Sequence, residues 1–246
     1  MNLSIVIPAH NEEGSISETI LAFHEQLKLE KINHEILVIN DNSSDATEQI
    51  LKDLGKKIPE VRHINNKPPN GFGFAVRAGL ENFKGDCVAV VMADLSDRPI
   101  DLVAYFRQME TGKYDAVFGS RFIKGGKTID YPRTKLILNR FTNGVIRFLF
   151  GIRYNDVTNA FKLYKRETID GIKPFLSHHF NLTVELPLKT IVRGYHYTVV
   201  PNYWTNRTSG ESKLKLKEMG SRYFFIILYC LLEKWLSRGD YKKEGV

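Results

Sequence analysis

Leu3-Ser4-Ile5-Val6-Ile7-Pro8-Ala9-His10-Asn11-Glu12 opens the chain with a short apolar run that breaks into polar residues at a proline. Glu35-Ile36-Leu37-Val38-Ile39-Asn40-Asp41-Asn42-Ser43-Ser44-Asp45 repeats the design thirty residues on. Runs this short, aliphatic and punctuated read as strands covered on both faces. Working outward, Val61–Asn65, Cys87–Met92 and Ala116–Phe118 give three more strands over the first 120 residues. Between them lie helical stripes. Ile16, Ile20, Phe23 and Leu27 share one face, Val76, Leu80 and Phe83 another, and Pro99 opens a helix with Leu102, Phe106 and Met109 inward. Asp45 with Glu48 resembles a capping box for the helix carrying Ala46, Ile50 and Leu54. Strand–helix alternation predicts an α/β fold: a mostly parallel, doubly wound sheet with helices on both faces.

The second half is less regular. Gly125–Tyr131 reads as a loop, Pro132 as the start of a long helix to about Phe150, and Phe161–Lys165 as a strand. A helix near Leu182–Arg193, a strand His196–Tyr203 and a last helix from about Glu218 complete the pattern. The expected organisation is one domain over residues 1–204, followed by a C-terminal loop and apolar helix, 205–246, as an appendage that meets a membrane or a second copy.

Composition bounds the function. A chain of 246 residues with 43% hydrophobic residues builds a real core, which excludes disordered and disulfide-stapled classes. Cys87 and Cys230 have no metal or redox spacing and suit a reducing, cytoplasmic setting. The net charge of +7 suits an anionic partner. No nucleic-acid motif or basic–aromatic stacking run accompanies it, so nucleic acid is not the expected partner. The first strand follows Met1–Asn2 without a basic leader, and the longest apolar run, Phe224–Leu232, is far short of the ~20 residues that span a bilayer. A soluble or peripheral protein is expected.

Ligands of doubly wound sheets bind beyond the carboxyl ends of the strands. There stand His10-Asn11-Glu12, Asn40–Asp45, Asp94-Leu95-Ser96-Asp97-Arg98 and Gly119-Ser120-Arg121. Asp94 and Asp97, three positions apart past a buried strand, can share a hard divalent cation such as Mg²⁺, which keeps waters and binds one or two carboxylates plus substrate phosphates. Equally, Asp97 can cap the Pro99 helix while Asp94 takes backbone N–H groups. Gly71-Phe72-Gly73-Phe74-Ala75-Val76 lacks the third glycine of a dinucleotide fingerprint and follows the third strand, not the first, so a nicotinamide dehydrogenase is excluded.

Taken in order, Val6-Ile7-Pro8, Asn11-Glu12, Val38 to Thr47, Ala93 to Pro99, Gly119-Ser120-Arg121 and Gly210-Glu211-Ser212-Lys213 resemble the inverting glycosyltransferases of family 2. The similarity is closest to the polyprenyl-phosphate hexosyltransferase branch, which includes dolichyl-phosphate mannose synthase. The resemblance implies a GT-A (nucleotide-diphospho-sugar transferase) fold and hexose transfer, mannose or glucose type, from GDP-mannose or a UDP-hexose to a polyprenyl or dolichyl phosphate. By it Pro8, Ala9, Asn11, Glu12 and Asp41 hold the nucleotide-sugar and Asp94 holds Mg²⁺ or Mn²⁺ at the diphosphate; Asp97, an addition to the family pattern three residues on, is the candidate to replace the missing ligand. By the same resemblance Arg121 meets the acceptor phosphate and is a catalytic candidate, and Arg207, Ser212 and Lys213 close over the phosphates; Arg133, nearest the Gly125–Gly126 loop, is a further acceptor-phosphate candidate by position, and Asp97 is the catalytic base if the acceptor is a sugar hydroxyl. The chain departs from the pattern at Met92, where an Asp is usual, at Ser96 in the place of Gln, at His10 in the place of Tyr, and at Asn159-Ala160-Phe161 in the place of Ser-Gly-Phe. A glycan hydroxyl acceptor, or a nucleotide-sugar-binding protein impaired in catalysis, are the alternatives.

Arg133, Arg140 and Arg147 recur every seventh residue and so share nearly one helix face beside Leu138, Phe141, Val145 and Phe148. That face is either plainly solvated or lies on anionic headgroups. The Tyr223–Leu232 segment, apolar all round, is core, dimer contact or interfacial helix. Glu185, in an apolar helix, is either a retained functional carboxylate or half of a buried ion pair. A peripheral position on the cytoplasmic face of a membrane follows from these readings.

Overall fold

The computed structural model describes residues 1–206 and 216–243. Strands β1 (Leu3–Ala9), β2 (His34–Asn40), β3 (Val61–Asn65) and β4 (Cys87–Val90) alternate with helices α1 (Ile16–Leu29), α2 (Thr47–Lys57) and α3 (Phe72–Asn82). Helix α4 (Pro99–Glu110), β5 (Ala116–Ser120), β6 (Lys127–Ile129), α5 (Arg133–Phe150), β7 (Lys162–Lys165), α6 (Arg166–Gly171), α7 (Leu182–Val192), β8 (Tyr197–Pro201), β9 (Tyr203–Thr205) and α8 (Leu216–Leu236) follow. Seven strands form one sheet in the order β3-β2-β1-β4-β7-β5-β8, and β6 pairs with β9 in a separate ribbon. The sheet is parallel except for β7, which runs antiparallel to both β4 and β5.

The aliphatic runs explain this sheet. Every residue of β1 is buried, and its side chains alternate between two cores. Leu3, Ile5 and Ile7 join Ile36, Val38, Cys87 and Ala89 under α1, α2 and α4. Val6 joins Leu37, Ile39, Val88 and Val90 under α3, α5, α7 and α8. Gly79 permits the close approach of α3, because a Cβ there would collide with the Val6 side chain. Helix α8 is not apolar without consequence. Ile226, Ile227, Cys230 and Leu231 enter the second core, while Phe224, Phe225, Leu228, Leu232, Trp235 and Leu236 face outward. Glu233 fixes it through a buried ion pair with Arg193 at 2.7 and 3.0 Å, and Lys234 Nζ donates to Phe150 O at 2.7 Å.

Three local expectations change. Residues 127–129, read as loop, form β6, because Lys127–Ile129 pairs with Tyr203–Thr205 far along the chain. The strand expected over His196–Tyr203 divides at the buried Asn202, which separates β8 of the main sheet from β9 of the ribbon. No capping box forms on α2: Asp45 Oδ1 does accept the Thr47 N–H at 3.0 Å, but Glu48 pairs with Lys52 and Asn65.

Candidate active site at the carboxyl ends of the strands

The loops leaving β1 and β2 are laced together. Asn11 N–H donates to Ser43 Oγ at 3.0 Å and Ser44 N–H to Asn11 Oδ1 at 2.8 Å. Glu12 N–H donates to Thr47 Oγ1 at 2.9 Å, Glu13 N–H to Asp45 Oδ2 at 3.1 Å, and Ala46 N–H to Glu13 Oε2 at 2.8 Å. Beneath them Pro8 and Ala9 are buried in β1 and supply a floor. Asn11, Asn42 and Leu95, one in each loop after β1, β2 and β4, hold φ of 52°, 59° and 51°. Left-handed backbone costs a non-glycine residue roughly 1–2 kcal/mol, and such strain gathers at binding sites.

Asp41 follows β2 with a buried carboxylate that is already occupied. Oδ1 accepts Asn66 Nδ2 at 2.7 Å and Asn70 Nδ2 at 3.0 Å, and Oδ2 accepts Gly71 N–H at 2.7 Å. It therefore holds the β3–α3 loop and the start of α3 against the end of β2.

After β4 the chain turns at Asp94, which is partly exposed and whose Oδ1 accepts Ser96 N–H at 3.2 Å. Thr19 Oγ1, donating to Ala93 O at 2.9 Å, steadies this turn from α1. Asp97 lies behind it, 3% exposed, with Oδ1 buried and unpartnered among the described residues. Burial, then the Asp94 charge, push its carboxyl up to about 8 against the opposing effect of Arg121. Asp97 does not cap α4; Arg98 is the residue before that helix, and it forks onto Asp101 at 3.0 and 2.5 Å while covering the Tyr203 ring at 3.6 Å. A bridge from Asp97 to Trp204 and the Thr205 N–H···O Ser96 bond of 3.0 Å brace the turn against β9.

At the end of β5, Arg121 is 7% exposed and forks onto Asp156, Nε at 2.8 Å and Nη2 at 2.7 Å. Burial alone would weaken its hold on the proton, but the Asp156 carboxylate outweighs it and keeps the guanidinium charged. Phe122 lies between two cations: Arg121 is 5.3 Å from its ring and Arg140 of α5 is 4.4 Å away. Arg133 stands exposed at the first residue of α5, two positions past Tyr131, which faces Arg121 at 5.5 Å. Thus Asn11, Glu12, Asp41, Asp94, Asp97 and Arg121 share the carboxyl-end rim of the sheet. Arg207, Ser212 and Lys213 lie outside the described residues. Among the described residues no cluster of three or more His, Cys, Asp or Glu side chains is arranged for a metal ion.

Sequence reading missed Asp156, Tyr105 and Asn202. Tyr105 Oη is buried and unpartnered next to the end of β5, and Asn202 Oδ1 accepts Asn159 Nδ2 at 3.1 Å. Asp156 had one signal available, its place three residues before Asn159-Ala160-Phe161. Glu185 is resolved as a staple: fully buried, it pairs with Lys189 at 2.6 Å and accepts the N–H groups of Leu176 and Ser177, each at 2.7 Å.

The family model "Glycosyl transferase family 2" matches residues 4–172, more than half of the chain. The chain belongs to glycosyl transferase family 2. Two relatives of this glycosyltransferase are similar along most of its length. Polyprenol monophosphomannose synthase of Mycolicibacterium smegmatis is 28% identical over 85% of this chain and 80% of its own. Dolichol-phosphate mannosyltransferase of Pyrococcus furiosus is 29% identical over 88% of this chain, which spans 60% of that longer protein. Both names belong to the dolichyl-phosphate mannose synthase-like branch that the motifs resemble. Glucosyl-3-phosphoglycerate synthase from Mycobacterium tuberculosis shares the GT-A fold: its UDP complex superposes with a TM-score of 0.68 over 95% of this chain and 79% of that one, at 20% identity. A second crystal structure of that synthase holds Mn²⁺, UDP-glucose and phosphoglyceric acid, and matches with the same TM-score and coverage at 19% identity.

Proposed function

We propose that this family 2 glycosyltransferase moves a hexose of mannose or glucose type from a nucleotide-sugar to a polyprenyl phosphate, with inversion at the anomeric carbon. The observation that carries the acceptor half is the Phe122 ring shared by Arg121 and Arg140, which joins the Arg121 strand end to the cationic helix α5. The outward side of α5 is apolar at Ile137, Leu138, Phe141, Val145 and Phe148, and α8 adds Phe224, Phe225, Leu228, Leu232, Trp235 and Leu236. A phosphate group attached to a long hydrocarbon matches cations beside such a face. The names of the two mannosyltransferase relatives support the same acceptor class.

On the donor side, Pro8 and Ala9 form the floor, and Asn11, Glu12 and Asp41 the wall, of the nucleoside pocket. Asp94 on the open rim and the unpartnered Asp97 Oδ1 behind it fit a divalent ion, Mg²⁺ or Mn²⁺, that takes its remaining ligands from water and the donor diphosphate. When bound, the ion supplies positive charge where the leaving nucleoside diphosphate becomes more negative. Arg121 and Arg133 hold the acceptor phosphate opposite the leaving group. The acceptor is already an anion near neutral pH, so alignment rather than proton removal is the main requirement. Arg207, Ser212 and Lys213, assigned by resemblance, close over the phosphates. The second reading, a glycan hydroxyl acceptor, is favoured by one observation: the buried, unpartnered Asp97 Oδ1, an oxygen free to accept a hydroxyl proton as a general base.

No helix among the described residues is long and apolar enough to cross a membrane. In this reading the protein docks peripherally on the cytoplasmic face, with the α5–α8 face on the lipid. Arg133, Arg140 and Arg147 then meet anionic headgroups, each adding on the order of 1 kcal/mol.

A thermal-shift panel of GDP-mannose and UDP-glucose, each with and without Mn²⁺, tests the donor half. A donor at 100 times its Kd adds about 2.7 kcal/mol. One donor is expected to give a metal-dependent shift that Asp94→Asn removes, along with transfer. No shift with any donor, or full turnover in Asp94→Asn, overturns the assignment.

A further inference from the structure

We propose that Asp156 is a positioning residue of the acceptor site that acts through Arg121, and that residues 154–159 form a strut tying the phosphate-binding strand end to the lipid-facing helix. The inference rests on the acceptor reading given above.

Four consecutive residues at the end of β5 are each held by a side chain of this one segment. Tyr154 Oη donates to Gly119 O at 3.0 Å, as does Asn159 Nδ2 at 3.1 Å. Asn155 accepts from Ser120 Oγ at 2.6 Å and donates to Phe122 O at 3.1 Å. Asp156 takes Arg121 three ways, through the backbone N–H at 3.0 Å and through Nε and Nη2 at 2.8 and 2.7 Å. The segment is anchored in its turn. Lys162 Nζ, wholly buried, donates to the carbonyls of Val157, Asn159 and Thr183. On the other side Thr158 Oγ1 accepts Asn139 Nδ2 at 2.8 Å and Asn143 Nδ2 at 2.9 Å, both from α5.

The chemistry explains why a carboxylate stands there. An arginine on a strand end has several free rotors and would lose that freedom on meeting a phosphate. A bidentate carboxylate freezes the planar fork beforehand. Pairing through Nε and Nη2 leaves Nη1, which has no partner among the described residues, as the donor for a phosphate oxygen. The pair is neutral as a unit, so the net positive charge for the phosphate comes from Arg140 and Arg133. Because α5 carries both of these and is bonded to the same strut, lipid contact and phosphate contact are set in one geometry.

The test is binding of farnesyl phosphate, read by titration calorimetry, and the KM for polyprenyl phosphate, in wild type, Asp156→Asn, Arg121→Lys and the double variant. Donor thermal shift serves as the check that the fold and donor pocket survive. Asp156→Asn sets an amide N–H₂ against an arginine N–H, and is expected to weaken farnesyl phosphate about tenfold or more while donor binding stays within about twofold. The double variant is expected to be no weaker than Arg121→Lys alone, because the two residues act as one unit. Asp156→Glu, which keeps the charge and displaces the fork, is expected to show the same selective loss. Farnesyl phosphate binding retained in Asp156→Asn, or losses that multiply in the double variant, overturn the positioning role. Wild-type binding in Arg121→Lys would instead remove the acceptor reading itself.

Discussion

Gly119→Ala probes the packing at the end of β5. A Cβ at this position would lie 2.9 Å from both Asn202 Oδ1 and Phe161 O, and closer still to Tyr105 Oη. None of these yields easily. Phe161 O is backbone, Asn202 is fully buried, and Tyr105 is fully buried with its ring 4.8 Å from that of Phe161. Overpacking of this kind costs about 1–3 kcal/mol, and a chain of this length loses roughly 2–4 °C in Tm per kcal/mol. Gly119→Ala is therefore expected to melt about 2–12 °C below wild type. Tyr105→Phe separates the cause. Its hydroxyl is buried and unpartnered, so its removal deletes a desolvated group and is expected to stabilise by about 1 kcal/mol. In the Gly119→Ala background the same change opens the space the methyl needs and recovers most of the loss. Scanning calorimetry on the four proteins reads the cycle. A Gly119→Ala melt within a degree of wild type, or no recovery with Tyr105→Phe, refutes the packing described at the strand end.

Glu233→Ala leaves Arg193 buried with, among the described residues, the Gly171 and Lys173 carbonyls and the Tyr241 ring but no carboxylate, and loss of one partner from a buried pair costs about 3–5 kcal/mol. Urea unfolding checks it, and a loss below about 1 kcal/mol would mean that this pair does not hold α8 to the body. Burial opposes the charged form of Glu35, but hydrogen bonds from Ser4, Lys84 N–H and Arg62 outweigh it and hold its carboxyl below the ordinary 4.5. Its stabilisation is present above that value and disappears as pH falls through the lower folded one. Glu35→Gln should thus be destabilised relative to wild type at pH 7, and the gap should narrow as pH falls below 4.5, in equilibrium melts across that range. Flotation with anionic vesicles should recover the wild-type protein and lose Phe141→Asp, since Phe141 is 69% exposed on the proposed lipid face. Equal flotation of the two would place the membrane contact elsewhere.

The parallel half of the sheet was legible because β1, β2 and β4 are aliphatic on both faces and end in polar loops, a pattern set by local sequence. β7 was legible as a strand but not in direction, since Lys162–Lys165 is antiparallel only through its pairing with Cys87–Val90 and Ala116–Phe118. The ribbon of β6 and β9 left no periodicity to read, at three residues a strand. The rim residues were legible by position, as strand ends. Their partners were not: Asp41 is held from Asn66, Asn70 and Gly71, and Arg121 from Asp156, contacts 25 to 35 residues apart that only the tertiary fold creates. The outward face of α8 was likewise hidden, because Ile226 and Phe225 are equally apolar in sequence and differ only in what covers them.

The most direct test of the central claim is transfer itself. Protein, Mn²⁺ and a radiolabelled nucleotide-sugar selected by thermal shift are incubated with a polyprenyl phosphate in detergent, and the products are partitioned between water and organic solvent. The account predicts acceptor-dependent label in the organic phase, as a hexosyl lipid phosphate of inverted anomeric configuration. Donor-bound protein that leaves all label in the aqueous phase would contradict it.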